Sequence, residues 1–128
     1  MPTPFKPDDY TSVAPYLLVN GAEGTIAFLR EVFDATPLRR HDGEGSRIMH
    51  AEVRIDDTVL MLADRSPEWP AADSNVHIYV ADVDATYLRA LEAGAVSVQE
   101  PKQQDDPDRR CGFKDAGGTT WWAATMVG

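Results

Sequence analysis

One pattern is written twice along this chain: a strand, an amphipathic helix directly after it, then three more strands. The copies run over 11–63 and 76–126, joined by a linker at 64–75. The local echo is VNGAEGTIAFLREVFDAT against VADVDATYLRALEAGAVS. A unit of this size cannot bury its own apolar face, so two copies must pair. The pattern predicts an α+β fold of paired βαβββ modules forming one domain over 11–126, after an arm at 1–10 that holds three prolines and two aspartates.

The elements follow from periodicity and punctuation. Val13 to Val19 reads as a strand, with Pro15 marking an edge or a bulge because it donates no backbone hydrogen bond. Asn20 is placed as a helix N-cap with Glu23 completing a capping box. The helix that follows carries Ile26, Leu29, Val32 and Phe33 on one stripe. Arg39 to His41 is a second strand. Along Arg47 to Ile55, strict alternation puts Ile48, His50, Glu52 and Arg54 on one face and Met49, Ala51, Val53 and Ile55 on the other. Asp56 and Asp57 form the turn into Val59 to Ala63. The second copy opens with Val76 to Ala81, an N-cap at Asp82, and a helix with Ala85, Leu88 and Leu91 on one face, closed by Gly94. Strands at Val96 to Gln99 and Arg109 to Lys114 follow, then a DAGG turn at 115–118 and the strand TTWWAATM.

Composition narrows the partners. Twelve Lys and Arg stand against 21 Asp and Glu, a net charge of −9. Nucleic acid and anionic membrane surfaces both require clustered positive charge, so neither is expected. The single cysteine, Cys111, allows no intrachain disulfide and fits a reducing compartment. The N-terminal residues hold no apolar signal-peptide core. No segment approaches the roughly 20 apolar residues of a membrane span. A cytoplasmic protein is expected.

The order βαβββ–βαβββ, with PYLLVNGAEGTIAFLREVFDA, RIMHAEVRIDDTVLMLAD, HIYVADVDA, EAGA and KDAGGTTWWAA, resembles the vicinal-oxygen-chelate superfamily of glyoxalase I, bleomycin-resistance proteins and extradiol dioxygenases. The first two segments look most like its PhnB-like branch. The resemblance implies that each module curls its sheet into half of a cup, with helices outside. It also implies a small molecule in the cup, and for the bleomycin-resistance type a homodimer whose cups form across two chains. The superfamily's metal enzymes take ligands from the first and last strand of each module. Those positions fall on Ala14, Met61, His77 and Trp122, of which only His77 is a good donor. Catalytic zinc takes three protein ligands, and thioether sulfur is a poor ligand for Zn, Ni, Mn or Fe(II). The resemblance therefore implies the fold without the usual metal site.

Strand alternation then names the lining of the cup: Tyr16, His50, Glu52, Arg54, His77, Tyr79 and Trp122, to which the resemblance adds Met61. Aromatic walls with a few polar groups are the usual makeup of a small-molecule pocket. His50 and Glu52, two residues apart on one face, sit roughly 6.5–7 Å from each other at their base. Two readings stay open for them. One is a histidine hydrogen-bonded to a carboxylate. The other is a displaced divalent-metal site or acid–base set completed by His77, as in a glyoxalase-like lyase or a dioxygenase. Adjacent Trp121 and Trp122 must point to opposite faces. Trp69, in the linker, covers a cup rim, lies in a subunit interface or clasps the linker itself. Arg39, Arg40, Arg109 and Arg110 stand either beside the cup or in surface ion pairs. No nucleophile elbow, phosphate loop or dinucleotide fingerprint occurs, and Cys111 has no catalytic partner nearby. The sequence favours metal-free binding of a small molecule, with the metal enzyme as the alternative.

Overall fold

The computed structural model describes residues 4–128, so the first three residues of the expected arm lie outside it. The element order is β1 (Tyr16–Val19), α1 (Ala22–Phe33), β2 (Thr36–Asp42), β3 (Ile48–Ile55), β4 (Thr58–Asp64), β5 (Ser74–Tyr79), α2 (Val83–Glu92), β6 (Val96–Gln103), β7 (Asp108–Lys114) and β8 (Thr119–Met126). Two four-stranded mixed sheets result, in the orders β1-β4-β3-β2 and β5-β8-β7-β6. In each, the first strand pairs parallel to the last and the remaining pairs are antiparallel. This is the α+β arrangement of paired βαβββ modules that the repeat predicts. Among the described residues, no helix is long and apolar enough to cross a membrane.

Both modules share one core. Ile26, Leu29, Val32 and Phe33 of α1 are buried, as the stripe predicts, and Phe28 joins them. The Phe33 ring lies 6.1 Å from Phe113 of β7 and 5.1 Å from Trp121 of β8. Helix α1 thus packs on both sheets. Such aromatic pairs contribute about 1 kcal/mol each beyond area burial. Arg89 of α2 donates to the Val32 carbonyl at 3.2 Å, tying the two helices together. The DAGG turn docks on the first module, where the Gly117 carbonyl accepts from the Asn20 N–H at 3.2 Å. A Cβ at Gly117 would lie 2.5 Å from Thr25 Oγ1, so glycine is required there. The buried Asp115 carboxylate holds this turn by accepting from the Gly118 and Thr119 amides and the Trp121 indole.

Four local expectations are corrected. Asn20 does not cap α1. Gly21 occupies the cap with φ +79 and no side-chain bond, and the free Ala22 N–H donates to Asp64 Oδ1 at 2.6 Å. Glu23 is drawn away by Arg40, which binds both of its oxygens. The second module repeats the device: Thr125, one strand step from the end of β8, accepts from the Val83 N–H. Asp82 caps α2 as expected, accepting from the Ala85 N–H.

The second correction concerns β3. Between the pairs His41–His50 and Asp42–Ile48, β3 advances two residues while β2 advances one. Met49 is the extra residue of a bulge, which reverses the faces beyond it. Ile48 is fully buried and Met49 is 48% exposed, opposite to strict alternation. Third, α2 buries Val83, Thr86, Tyr87 and Ala90, whereas Leu88 is exposed. Large residues on both sides of α2 made the stripe ambiguous, and the α1 contact decides it. Fourth, the registers Tyr16–Met61 and His77–Trp122 make Tyr16, not Ala14, the counterpart of His77.

Asp64 also accepts from the Ile48 N–H at 2.7 Å, so one carboxylate fixes both the start of α1 and the bulged strand. Asp64→Ala should cost about 3 kcal/mol, because it orphans two amides bonded to a charged acceptor. Thr125→Val, at the equivalent place, should cost about 1 kcal/mol. Urea unfolding of the two variants checks the ranking.

Candidate functional site

The helix-facing sides of both sheets are filled by the shared core. The opposite sides carry the side chains named from the sequence, in two separate groups.

On the first sheet, Tyr16 and Glu52 flank Met61, each being its direct neighbour across the ladder. Glu52 is only 5% exposed, yet it is charged and well supplied with donors. His50 Nε2 lies 2.8 Å from its Oε2, and Tyr10 donates to its Oε1 at 2.5 Å. Arg39 lies 3.4 Å from Oε1 and also donates to the Tyr10 hydroxyl at 3.1 Å. Burial opposes the Glu52 charge, but the hydrogen bonds from His50 and Tyr10 and the charge of Arg39 outweigh it. The carboxyl is held below its ordinary range. The far side of His50 faces Tyr16, whose hydroxyl is 3.0 Å from Nδ1. Arg54 donates to the Asp9 carbonyl at 2.7 Å. Tyr16, Leu18, Arg47, Met49, Ala63, Asp64 and Trp69 line a mainly apolar cleft of about 570 Å³ beside this chain of bonds. Trp69 is 63% exposed there, held by the paired Ser66–Trp69 backbone bonds.

Two of these residues were not legible. Tyr10 lies in the proline-rich arm, where nothing periodic marks it. Arg39 and Arg40 look alike in sequence, but Arg39 faces Glu52 while Arg40 pairs with Glu23 and Asp42.

On the second sheet, His77, Tyr79 and Trp122 come together. The rings of His77 and Tyr79 meet edge to face at 4.9 Å. Tyr79 donates to the buried Asp108 at 2.7 Å, a bond that raises its phenol pKa. Arg110 bonds Asp108 at 3.0 Å and approaches His77 Nε2 at 3.4 Å. Burial and then the Arg110 charge lower the His77 pKa, so the ring is neutral at neutral pH and Nε2 accepts from Arg110. Arg109, on the other face, pairs with Asp84 of α2. Trp121 is 1% exposed in the core, whereas Trp122 lies half-buried on the open face with its indole donating to Asn75. Cys111 is fully buried and its thiol is pushed up to about 11 by burial, which makes it unreactive.

His50, Glu52 and His77 do not meet within the chain. Among the described residues no three His, Cys, Asp or Glu side chains are placed to hold a metal ion. Both Glu52 oxygens and both His50 nitrogens already have partners. As they stand in one chain, these residues do not fit a three-ligand divalent site.

Two measurements follow. A Cβ at Gly112 would lie 2.6 Å from Trp122 Cζ3, so Gly112→Ala should displace the indole and change the near-ultraviolet circular dichroism without unfolding the sheet. The lowered Glu52 pKa gives stability that is present above the ordinary carboxyl value and lost as pH falls through the folded one. The unfolding free energy should therefore fall below about pH 4.5, and Glu52→Gln should flatten that fall.

Comparison with known proteins agrees with this architecture. Residues 10–123 match the family model of the Glyoxalase/Bleomycin resistance protein/Dioxygenase superfamily. Uncharacterized protein Mb0911c of Mycobacterium bovis is 33% identical over 121 residues, covering 86% of this chain and 80% of its own length. Among solved structures, TioX from Micromonospora sp. ML1 aligns at TM-score 0.76 with 22% identity, over 91% of this chain and 98% of TioX. TnmS3, an antibiotic binding protein from Streptomyces sp. CB03234, aligns at 0.67 with 22% identity, over 91% and 99%. The fosfomycin resistance protein FosX from Listeria monocytogenes, complexed with Mn(II) and sulfate, aligns at 0.70 with 14% identity, over 90% and 89%. With most of its length matched by the family model and its fold shared with these structures, the chain belongs to the glyoxalase/bleomycin resistance protein/dioxygenase superfamily.

Proposed function

We propose that this chain is a metal-free small-molecule binding protein that sequesters a flat, largely apolar ligand between the open faces of its sheets. The observation that carries the reading is that each sheet leaves an exposed aromatic ring on its open face among the described residues. Tyr16 is 50% exposed and Tyr79 62%, values that leave large rings in water unless something covers them. The first face offers Tyr16, Met61, His50, Glu52 and Arg54, and the second His77, Tyr79 and Trp122. Each is half of a cup. A two-fold homodimer that sets the first sheet of one copy against the second sheet of the other closes two such cups. The TnmS3 likeness, to an antibiotic binding protein, supports an aromatic natural product as ligand class. The net charge of −9 supports a partner other than nucleic acid or membrane, in the cytoplasm. The wording of AFLREVFDA and its neighbours supports the PhnB-like branch.

The second reading is a divalent-metal-dependent lyase or dioxygenase using Zn, Ni, Mn or Fe. The likeness to a fosfomycin resistance protein that carries Mn(II) speaks for it. It requires His77 of a second copy to reach His50 and Glu52, and the bonds around those two side chains to open.

Fluorescence titration with a panel of aromatic antibiotics tests the binding reading, since Trp69 and Trp122 both lie on open faces. Saturable quenching is expected, with Trp122→Phe weakening affinity about tenfold as befits a stacking anchor. Sedimentation is expected to give a dimer. Flat titrations across the panel would sink the proposal. About one metal per chain after loading and dialysis would turn the assignment to the second reading.

A further inference from the structure

We propose that Tyr16, His50 and Glu52 form a metal-independent proton relay, in which the Tyr16 hydroxyl acts as a general acid–base group on an aromatic carbonyl acid held in the cleft of Tyr16, Leu18, Met49 and Trp69. This rests on the reading that the open face takes a small molecule, and it adds a reaction to that reading.

The direction of the bonds carries the argument. The ionised Glu52 Oε2 accepts a hydrogen bond from His50 Nε2 at 2.8 Å, which leaves the proton on that nitrogen. Nδ1 is then the lone-pair nitrogen, and it faces the Tyr16 hydroxyl at 3.0 Å. A base, a group that fixes its tautomer and a hydroxyl beside it make up the arrangement that activates hydroxyls in acyl-transfer enzymes. Glu52 does not itself take the proton. It is held ionised, and its other oxygen is occupied by Tyr10 and Arg39. A purely structural network would end once the buried carboxylate was satisfied. This one continues outward to a phenol on an edge strand, half exposed and lining an apolar cleft. Arg47 also lines that cleft and has no ion-pair partner among the described residues. Of the other ionisable groups on the first sheet's open face, Arg39 and Arg54 are engaged by Tyr10, Glu52 and the Asp9 carbonyl, while His41 lies opposite His50 on β2. An anionic ligand therefore meets Arg47 in a cleft whose one carboxylate, Asp64, is occupied by the Ala22 and Ile48 amides, beside walls that suit a ring.

The step balances without a co-reactant. The bond between hydrogen and the carbon next to the carbonyl breaks, and its proton passes to the Tyr16 oxygen. The Tyr16 proton passes to His50 Nδ1. The electron pair of the broken bond becomes the carbon–carbon double bond, and the carbonyl oxygen takes the negative charge, opposite Arg47. The imidazolium so formed is paired with Glu52. The reverse transfers return the proton to carbon. Glu52 is a positioning residue, since it reaches the substrate only through His50.

Phenylpyruvate is the probe, because it carries the ring, the carbonyl and the carboxylate and its enol absorbs in the ultraviolet. Its binding is followed by calorimetry and its enol–keto conversion by absorbance. The protein should accelerate conversion about a hundredfold over buffer, the lower end for positioned acid–base groups. Tyr16→Phe and His50→Gln should abolish the acceleration while binding stays within about threefold, because neither supplies the carboxylate contact. In ¹⁵N spectra, His50 should carry its proton on Nε2, and Glu52→Gln should mix the two tautomers and slow conversion, a signature that loss of packing does not produce. Binding without acceleration overturns the relay and leaves the pocket intact, as does acceleration that survives Tyr16→Phe. Absence of phenylpyruvate binding overturns the assignment to aromatic carbonyl acids together with the relay.

Discussion

Phe33 lies against Phe113 and Trp121, and this contact decides what the rest of the molecule can do. Each module has one apolar sheet face and one helix, too little to close a core alone. Putting the rings of α1 onto the second sheet merges two partial cores into one. The helix-facing sides of both sheets are then used up. Their other faces are left open, apart from the arm that crosses the first one, and the candidate site residues stand on them. The same contact explains α2. Its buried stripe follows the packing against β7 and β6 and the tie to Val32, and Leu88 is left outside.

A buried carboxylate beside such a face needs an explanation, because taking a charge out of water costs several kcal/mol. Glu52 meets that cost with three donor groups from three directions: the arm through Tyr10, β2 through Arg39, and its own strand through His50. Tyr10 is the consequential one. The arm crosses the sheet, with Arg54 on the Asp9 carbonyl and the Val59 amide on Thr11, and ends the open face at that side. The free end of the network is thereby directed toward Tyr16 and the Trp69 cleft.

The repeat, the strand order and the α1 stripe were legible because each rests on several residues that agree. The face assignment of β3 was legible up to His50 and failed beyond it, since a bulge adds one residue without any mark in the composition. Asn20 failed as a cap for a related reason. A local motif competes with Asp64, which is 44 positions away in the chain and adjacent only in space. The placement of the first ligand-equivalent position on Ala14 failed by two residues, because the strand expected from Val13 begins only at Tyr16, after Pro15. Tyr10 carried no sequence signal at all. Local periodicity thus located every element, while the groups that tune the site came from contacts between distant segments.

The two modules put different chemistry on equivalent positions. Tyr16 corresponds to His77, Met61 to Trp122, His50 to Arg110 and Glu52 to Gly112 by register with the last strand of each module. Where the first sheet has a carboxylate, the second has a glycine, and the room goes to the indole of Trp122, whose ring atoms would meet any Cβ there. The difference gives the first face a buried carboxylate with its hydrogen-bond network and the second a flat stacking surface beside His77. A ligand enclosed between them in a two-fold dimer would meet both at once, the hydrogen-bond network of the first face and the flat rings of the second.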